Sequence, residues 1–208
     1  MVPKYTSIKV IDFGGATYDN ESKSTVVNTR QYRAPEVVIF GLGWSFPSDM
    51  WSAGCIVAEL YQGELLFATH DNAEHLALME RILGRFPLDM VRQAKTFGKL
   101  FDSSGWHGLD LPRDSRKHVK KLAPLEDVIR KHDSASGLVG VLRLLLTLDP
   151  KLRATASESL QSNFFRTESR NRHYDRLSLS RSSHHRSRSV GITNSSRYGN
   201  NGAGTGGR

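Results

Sequence analysis

The apolar residues of this chain recur mostly at helical spacing, and they predict a mainly α-helical body. Residues 47–60 begin with capping signals and are then apolar almost all round, which is typical of a helix buried on every side. Asp71 or Asn72 can cap a second helix that runs through Leu83, and Gly84 ends it. The pattern therefore predicts a central helix with an amphipathic helix beside it.

Shorter apolar stripes extend this helical pattern along the chain. Residues 125–131 are helical in pattern, residues 137–148 carry apolar side chains three and four positions apart, and residues 156–160 predict a last helix. Residues 85–120 contain mixed short elements that the pattern does not resolve. The body is therefore expected to be mostly α-helical.

The beginning of the chain has a different pattern. Residues 7–12 alternate polar and apolar side chains before Gly14 and Gly15, which predicts a short strand leading into a loop. Residues 17–33 are polar, lack sustained periodicity and are rich in Ser, Thr and Asn, so they predict a long loop. A loop of this length in a compact domain is usually functional.

Positive charge is concentrated at the end of the chain. From Arg166 onward, nine arginines, no lysines and two acids account for +7 of the net charge of +8. Residues 167–208 are also poor in apolar side chains and are expected to be disordered, because they cannot offset chain entropy by burial. The body, residues 1–166, is nearly neutral, so the basic composition does not make it a nucleic-acid-binding domain.

The single cysteine and the lack of long apolar runs indicate the compartment. Cys55 lies within an apolar run and has no partner for an internal disulfide, which fits a reducing compartment and a buried, inert thiol. No apolar stretch reaches the roughly 18 residues needed to cross a bilayer, and the first residues lack a signal-peptide pattern. We expect a soluble intracellular protein without membrane contact.

A motif for metal and phosphate chemistry stands where the loop begins. Asp12, Phe13 and Gly14 follow the predicted strand, and 22 residues after Asp12 comes the string Ala-Pro-Glu, which ends at Glu36. A carboxylate at the end of a strand can hold Mg²⁺ that bridges ATP phosphates, because hard cations prefer oxygen ligands. The two strings together bound the activation segment of protein kinases.

In these strings the chain resembles the carboxyl-terminal lobe of eukaryotic protein kinases, over residues 7–166. Residues 29–36 look like the end of the activation segment in the branch that contains cyclin-dependent, MAP and CDC-like kinases. Residues 48–55 are similar to the start of the buried kinase helix, and residues 148–155 to a late motif whose Arg pairs with the Glu of Ala-Pro-Glu. The resemblance implies a mainly α fold with a strand remnant at its start.

One string narrows the resemblance to the LAMMER, or CDC-like, dual-specificity kinases. Residues 74–84 nearly reproduce the signature of that family, with Leu78 where the family usually has Met, a change that preserves apolar volume. Gln31 is a second departure, because the family commonly has His there. Taken alone, the string would describe only an amphipathic surface helix. Its first eight positions are Glu74, His75, Leu76, Ala77, Leu78, Met79, Glu80 and Arg81.

The resemblance also implies roles for individual residues. Asp12 would bind ATP by holding its Mg²⁺. Thr29 would lie near the catalytic base and the acceptor residue, and Tyr32 and Arg33 would shape the pocket beside the acceptor hydroxyl. The residues with implied structural roles are Asp49, which would fasten the catalytic loop, and Glu36 and Arg153, which would form a buried ion pair.

Kinases contain further catalytic parts that lie before Asp-Phe-Gly. They hold ATP with a Gly-rich loop and a strand Lys, and they orient the acceptor with a His-Arg-Asp loop. The eleven residues before Asp12 contain no His, no Gly and no acid. We therefore expect no catalytic base in this chain and no phosphate transfer by it alone. Its expected partner is an amino-terminal lobe.

Two functions stay open at this point. The family activity is ATP-dependent phosphorylation of Ser and Thr, with Tyr accepted in self-phosphorylation, and the implied substrates are Arg/Ser-rich splicing factors of the nucleus and cytoplasm. Residues 180–189 contain Arg-Ser and Ser-Arg steps like those of such substrates. The alternative is a non-catalytic, kinase-like binding module whose basic tail engages RNA or splicing proteins.

Overall fold

The computed structural model describes residues 7–39, 42–93, 111–129 and 137–166, and these residues form helices and loops without a β-strand. The helices are α1 (Pro35–Val38), α2 (Phe46–Gln62), α3 (Asn72–Leu83), α4 (Leu88–Gln93), α5 (Arg113–Lys121), α6 (Leu125–Val128), α7 (Leu138–Leu145) and α8 (Ala156–Ser159). Two 3₁₀ turns, Phe13–Gly15 and Arg30–Tyr32, precede α1. None of the described helices has the length and apolar character of a membrane span.

Helix α2 is the central helix that the all-round apolar pattern predicts. Trp51, Cys55 and Ala58 are buried in it. Gly54 allows α7 to approach closely, because a Cβ added here would lie 2.8 Å from the side chain of Leu146. Burial also raises the pKa of the Cys55 thiol, as expected of an inert cysteine.

Helix α3 has the predicted bounds and the predicted caps. Asp71 is its N-cap, and the Asp71 carboxylate accepts a hydrogen bond from the Glu74 backbone N–H at 2.9 Å. Gly84 ends the helix with a φ of 100°, a conformation that favours glycine. The helix packs between α1 and α5.

Two of the helices that follow begin where the pattern was unresolved, and the others are shorter than predicted. Helices α4 and α5 begin within residues 85–120, and α5 ends one residue beyond that range. Helix α6 ends at Val128, because Ile129 is already extended, and α7 ends at Leu145 although Leu148 is still buried. Helix α8 begins with a capping box between Thr155 and Glu158.

The predicted strand at residues 7–12 is wrong. These residues have no regular secondary structure, and their apolar side chains face solvent, with Ile8 88% exposed. A strand must pair its backbone N–H and C=O groups with a neighbour, and the described residues offer no such neighbour. Of the long loop predicted over residues 17–33, residues 17–29 are loop, whereas Arg30–Tyr32 form a 3₁₀ turn. The disorder predicted for residues 167–208 lies outside the described residues.

Candidate functional site

Asp12, the predicted Mg²⁺ ligand, is exposed at the start of the first 3₁₀ turn. Its backbone is left-handed, with φ 63° and ψ 68°, a conformation that Asp adopts more readily than most residues. Its carboxylate is chemically suited to Mg²⁺, which is usually held by one or two carboxylates together with water and phosphate oxygens. The described residues contain no group of three or more acids, His or Cys that could hold a metal ion, so the role of Asp12 as a Mg²⁺ ligand stays a prediction.

Residues 29–33, named the acceptor loop after the role that the resemblance implies, are fastened to helix α2. Asn28 just before the loop has a φ of 63°, and its Nδ2 donates a hydrogen bond to Ser52 Oγ at 2.9 Å. Ser52 Oγ in turn donates to the Tyr32 carbonyl at 2.9 Å. Polar side chains of α2 therefore fix the backbone on both sides of Thr29, which is itself exposed.

Tyr32 and Arg33, the predicted pocket residues, are half-buried and hydrogen-bonded. The Tyr32 hydroxyl donates to the Glu59 carboxylate at 2.7 Å, and this bond raises the pKa of Tyr32. Arg33 donates to the carbonyls of Val27 and Asn28, both at 3.0 Å. Burial, and to a smaller extent the charge of Arg30, lowers the pKa of Arg33. Both side chains brace the loop from within, and the structure brings them together with Thr29.

The acceptor loop is also fastened to helix α3. The Arg30 guanidinium donates a hydrogen bond to the side-chain oxygen of Asn72, the first residue of α3. Gln31 Nε2 donates to the Thr69 carbonyl at 3.1 Å, just before that helix. The loop therefore bridges the two longest described helices, and its shape depends on both.

The predicted ion pair between Glu36 and Arg153 is present and fully buried. Two parallel hydrogen bonds of 2.7 and 2.8 Å join the guanidinium to the carboxylate, and the side chains are 0% and 1% exposed. The guanidinium also lies 5.2 Å from the centre of the Trp51 ring, within cation–π range. Its remaining N–H groups donate to the carbonyls of Pro47, Thr147 and Leu148. All five donors of the arginine are thereby satisfied, so the buried charge is fully compensated.

Asp49, to which the resemblance gives the catalytic loop as a partner, is exposed in the first turn of α2. No described residue donates a hydrogen bond to its carboxylate. It lines a cavity of about 280 Å³ together with Phe46, Met50 and Arg153. The role predicted for Asp49 therefore stays a prediction.

The signature string forms helix α3, and its members divide between core and contacts. His75 is fully buried against Phe67, with ring centres 5.5 Å apart, and neither ring nitrogen has a hydrogen-bond partner among the described residues. Glu74 lies 3.3 Å from His118 of α5, and Arg81 Nε donates to the Leu122 carbonyl at 2.7 Å. The other buried members are Leu76, Ala77, Leu78 and Met79. The alternative interpretation of the string, an amphipathic surface helix, is wrong, because these members of α3 are part of the core.

Three residues that hold the acceptor loop were not predicted from sequence: Asn28, Ser52 and Glu59. One signal was available for Glu59, since an acid inside the apolar pattern of α2 requires a polar partner. Asn28 also belongs to a residue type that tolerates a left-handed backbone. Nothing in the pattern, however, indicates that these side chains meet residues 20 or more positions away.

Comparisons with known proteins show which proteins the chain is similar to. Residues 1–165 match the family model described as protein kinase domain. Over 169 residues the chain is 47% identical to the serine/threonine-protein kinase AFC2 of Arabidopsis thaliana, covering 79% of this chain and 39% of that protein. Over 163 residues it is 45% identical to the human dual specificity protein kinase CLK4, covering 78% of this chain and 34% of that protein.

A solved structure extends the match from sequence to fold. The crystal structure of the PF14_0431 kinase domain is 42% identical and superposes with a TM-score of 0.71, covering 78% of this chain and 48% of that domain. The chain thus spans less than half the length of each of these relatives.

Proposed function

The chain belongs to the protein kinase family and resembles its LAMMER, or CDC-like, branch; from this premise we propose that it is the acceptor-binding part of an ATP-dependent kinase of Ser and Thr residues. One observation carries the proposal. The acceptor loop is hydrogen-bonded to α2 and α3, and the buried pair of Glu36 with Arg153 secures the chain directly after it. A rigid acceptor surface is what phosphoryl transfer requires of this lobe, since the reaction depends on positioning.

We further propose that the chain does not transfer phosphate by itself. Asp12 would hold Mg²⁺ and, through it, ATP, but the described residues contain no group of three or more His, Cys, Asp or Glu side chains that could hold a metal ion, and the eleven residues before Asp12 contain no His and no acid that could act as a base. The part of a kinase domain that precedes Asp-Phe-Gly, with its Gly-rich loop, strand Lys and His-Arg-Asp loop, would complete the site. The residues of this chain would then orient the acceptor hydroxyl.

The proposed substrates are Arg/Ser-rich proteins, by analogy with the LAMMER kinases. Residues 180–189 of the chain have the same alternation of Arg and Ser, which makes the tail a candidate for self-phosphorylation. This substrate class implies a nuclear and cytoplasmic location.

A chimera tests the proposal. Residues 12–208 are joined to the amino-terminal part of a LAMMER kinase that ends just before its Asp-Phe-Gly, and incorporation of phosphate into an Arg/Ser peptide is measured. We expect activity that requires ATP and Mg²⁺ and that Asp12→Asn abolishes. The matched control is Asp89→Asn, which removes the same charge at an exposed position of α4 and should leave activity unchanged. The unfused chain should show no single-turnover transfer.

Two results would overturn the proposal. A folded chimera without activity would favour the alternative of a non-catalytic binding module whose tail engages RNA or splicing proteins. Phosphate transfer by the unfused chain would show that its catalytic residues lie elsewhere than proposed.

A further inference from the structure

Helix α5 carries a continuous stripe of positive charge on the face that points away from the body. On its inner face Val119 packs against the core, and His118 contacts Glu74. The outer face holds five cations at helical spacings of three and four, so they occupy one side. This set, named the α5 stripe, consists of the exposed residues Arg113, Arg116, Lys117, Lys120 and Lys121.

The stability of its own helix does not explain the whole stripe. Lys120 and Lys121 in the last turn complement the helix dipole, but Arg113 in the first turn opposes it, and like charges three and four positions apart repel each other. Asp114 is the single acid of α5, and its exposed pair with Lys117, at 3.5 Å, is the one ion pair of the stripe among the described residues. The charge therefore remains available to an external anion.

Helix α3 connects the stripe to the acceptor loop. Asn72, the first residue of α3, accepts the hydrogen bond from Arg30 of the loop, and two residues later Glu74 holds α5. Burial alone would raise the pKa of Glu74, but hydrogen bonds from Ser115, Thr69 and His118 lower it, so the carboxylate that joins the two helices stays charged. The acceptor loop and α5 are thus held by the same turn of α3.

We propose that the α5 stripe is a docking surface for phosphoserine-containing Arg/Ser segments, that is, for substrate stretches that the kinase has already phosphorylated. The proposal rests on the proposed function. A phosphoserine adds about −1.5 to −2 charges and three strong acceptor oxygens, for which closely spaced Arg and Lys are suitable partners. A phosphorylated stretch held on α5 would keep neighbouring serines close to the acceptor loop.

The same stripe also attracts the phosphates of RNA, but the structure favours a peptide. Recognition of single-stranded RNA usually stacks bases on aromatic side chains. Helix α5 contains no Phe, Tyr or Trp, and its one imidazole, His118, is engaged with Glu74.

Binding to the whole 208-residue chain tests the proposal by fluorescence anisotropy. The probes are a short Arg-Ser peptide with every serine phosphorylated, the same peptide unphosphorylated, and an oligouridylate of equal charge. We expect Arg116→Gln with Lys120→Gln to weaken phosphopeptide binding about tenfold. Lys117→Gln with Lys121→Gln should show the same loss. The matched control, Lys9→Gln with Lys151→Gln, removes two exposed charges outside α5 and should change binding less than about twofold.

Equal losses in the stripe variants and the control would overturn the proposal in favour of general electrostatics, including that of the arginine-rich tail. The proposal would be overturned in favour of RNA if the chain bound oligouridylate more tightly than the phosphopeptide, and if the stripe variants weakened oligouridylate binding more than phosphopeptide binding. The chimera separates this proposal from the proposed function: an active chimera whose multisite phosphorylation is insensitive to the stripe variants contradicts docking alone. An inactive chimera contradicts the function and leaves the binding result standing.

Discussion

Arg153 and Glu36 lie 117 residues apart in the chain and meet out of contact with solvent. Arg153→Met removes the cation and leaves the Glu36 carboxylate buried without its partner. We expect this change to lower the free energy of unfolding by roughly 3–5 kcal/mol, because an uncompensated buried charge loses hydration without gaining an interaction. Urea unfolding at constant pH measures the loss.

The exposed pair of Arg143 with Glu126 provides the matched control. Arg143→Met should cost about 0–1 kcal/mol, since solvent already screens that pair. The double variant Glu36→Leu with Arg153→Met should recover part of the loss, because no unpaired charge remains. If Arg153→Met and Arg143→Met cost the same, burial is not what makes the Glu36 pair important.

A second prediction for a single residue concerns His75 and the pH dependence of the free energy of unfolding. Burial, followed by the charges of Arg30 and Arg33, lowers its pKa to about 3, whereas in an unfolded chain histidine titrates near 6.5. Between about pH 6.5 and pH 3 the unfolded state therefore binds more protons, so the chain loses stability as the pH falls through this window. From about pH 7.5 to 5.5 the contribution of His75 is about 1 kcal/mol.

His75→Phe should remove that contribution, because the ring no longer titrates. Urea unfolding of both proteins at each pH should show a drop about 1 kcal/mol smaller in the variant. His70→Phe, at an exposed position just before α3, is the control for a general effect of removing a histidine. An unchanged pH dependence in His75→Phe would contradict this account, because it would mean that His75 binds a proton as readily in the folded state as in the unfolded state.

The contacts of an individual residue could be predicted from the sequence only where its partner also lies in a recognisable motif. Glu36 and Arg153 each lie in a recognisable string, so their pairing could be predicted and is observed. The bond from Tyr32 to Glu59 could not, because it depends on the path of a loop without periodicity. The positions of Thr29 and Asp12 could be predicted but their partners could not be found, since kinases carry those partners before Asp-Phe-Gly and the eleven residues before Asp12 contain none of them.

At the scale of elements, the contact of α2 with α7 depends on a missing side chain. A Cβ on Gly54 would lie 2.8 Å from Leu146 and 2.9 Å from Leu145, closer than such atoms normally approach. We expect Gly54→Ala to destabilise the body by about 1–3 kcal/mol through overpacking, although alanine is the better helix former. Thermal or urea unfolding gives the value.

Gly140 in α7 is the matched position, because a Cβ there would meet nothing within 4 Å. Gly140→Ala should stabilise by about 0.5–1 kcal/mol through helix propensity alone. The two substitutions are chemically identical, so a difference in sign isolates the packing of α2 on α7. Stabilisation by both would show that α7 can move away without cost.

The elements that could be predicted are those with local stop signals. Helix α3 carries its N-cap and its terminating glycine in the sequence, and its bounds are the predicted ones. Helix α7 ends three residues before the end of its apolar pattern, and the carbonyls of Thr147 and Leu148 accept hydrogen bonds from the Arg153 side chain instead of continuing the helix, which apolar spacing does not indicate. The strand prediction at residues 7–12 fails for a different reason, since strand pairing is a property of two segments.

At the scale of the whole molecule, one face of the central helix is uncovered. Ile56 is 47% and Leu60 81% exposed, and with Asp49 they lie on one side of α2. Apolar side chains grouped in this way usually mark an interface. The relatives extend well beyond the matched region, so we expect this face, named the α2 face, to be covered once an amino-terminal lobe is joined to the chain.

The isolated chain should therefore self-associate through the α2 face. Ile56→Gln with Leu60→Gln should raise the monomer fraction measured by sedimentation velocity, because the substitutions replace the apolar side chains whose burial would drive self-association. Leu152→Gln with Leu160→Gln changes two leucines outside α2, 75% and 61% exposed, and should have less effect. In the active chimera the α2 face would be an internal contact. There the α2 variant should lose activity, and the control variant should keep it. A monodisperse unaltered chain, or a chimera indifferent to the α2 variant, would contradict this account.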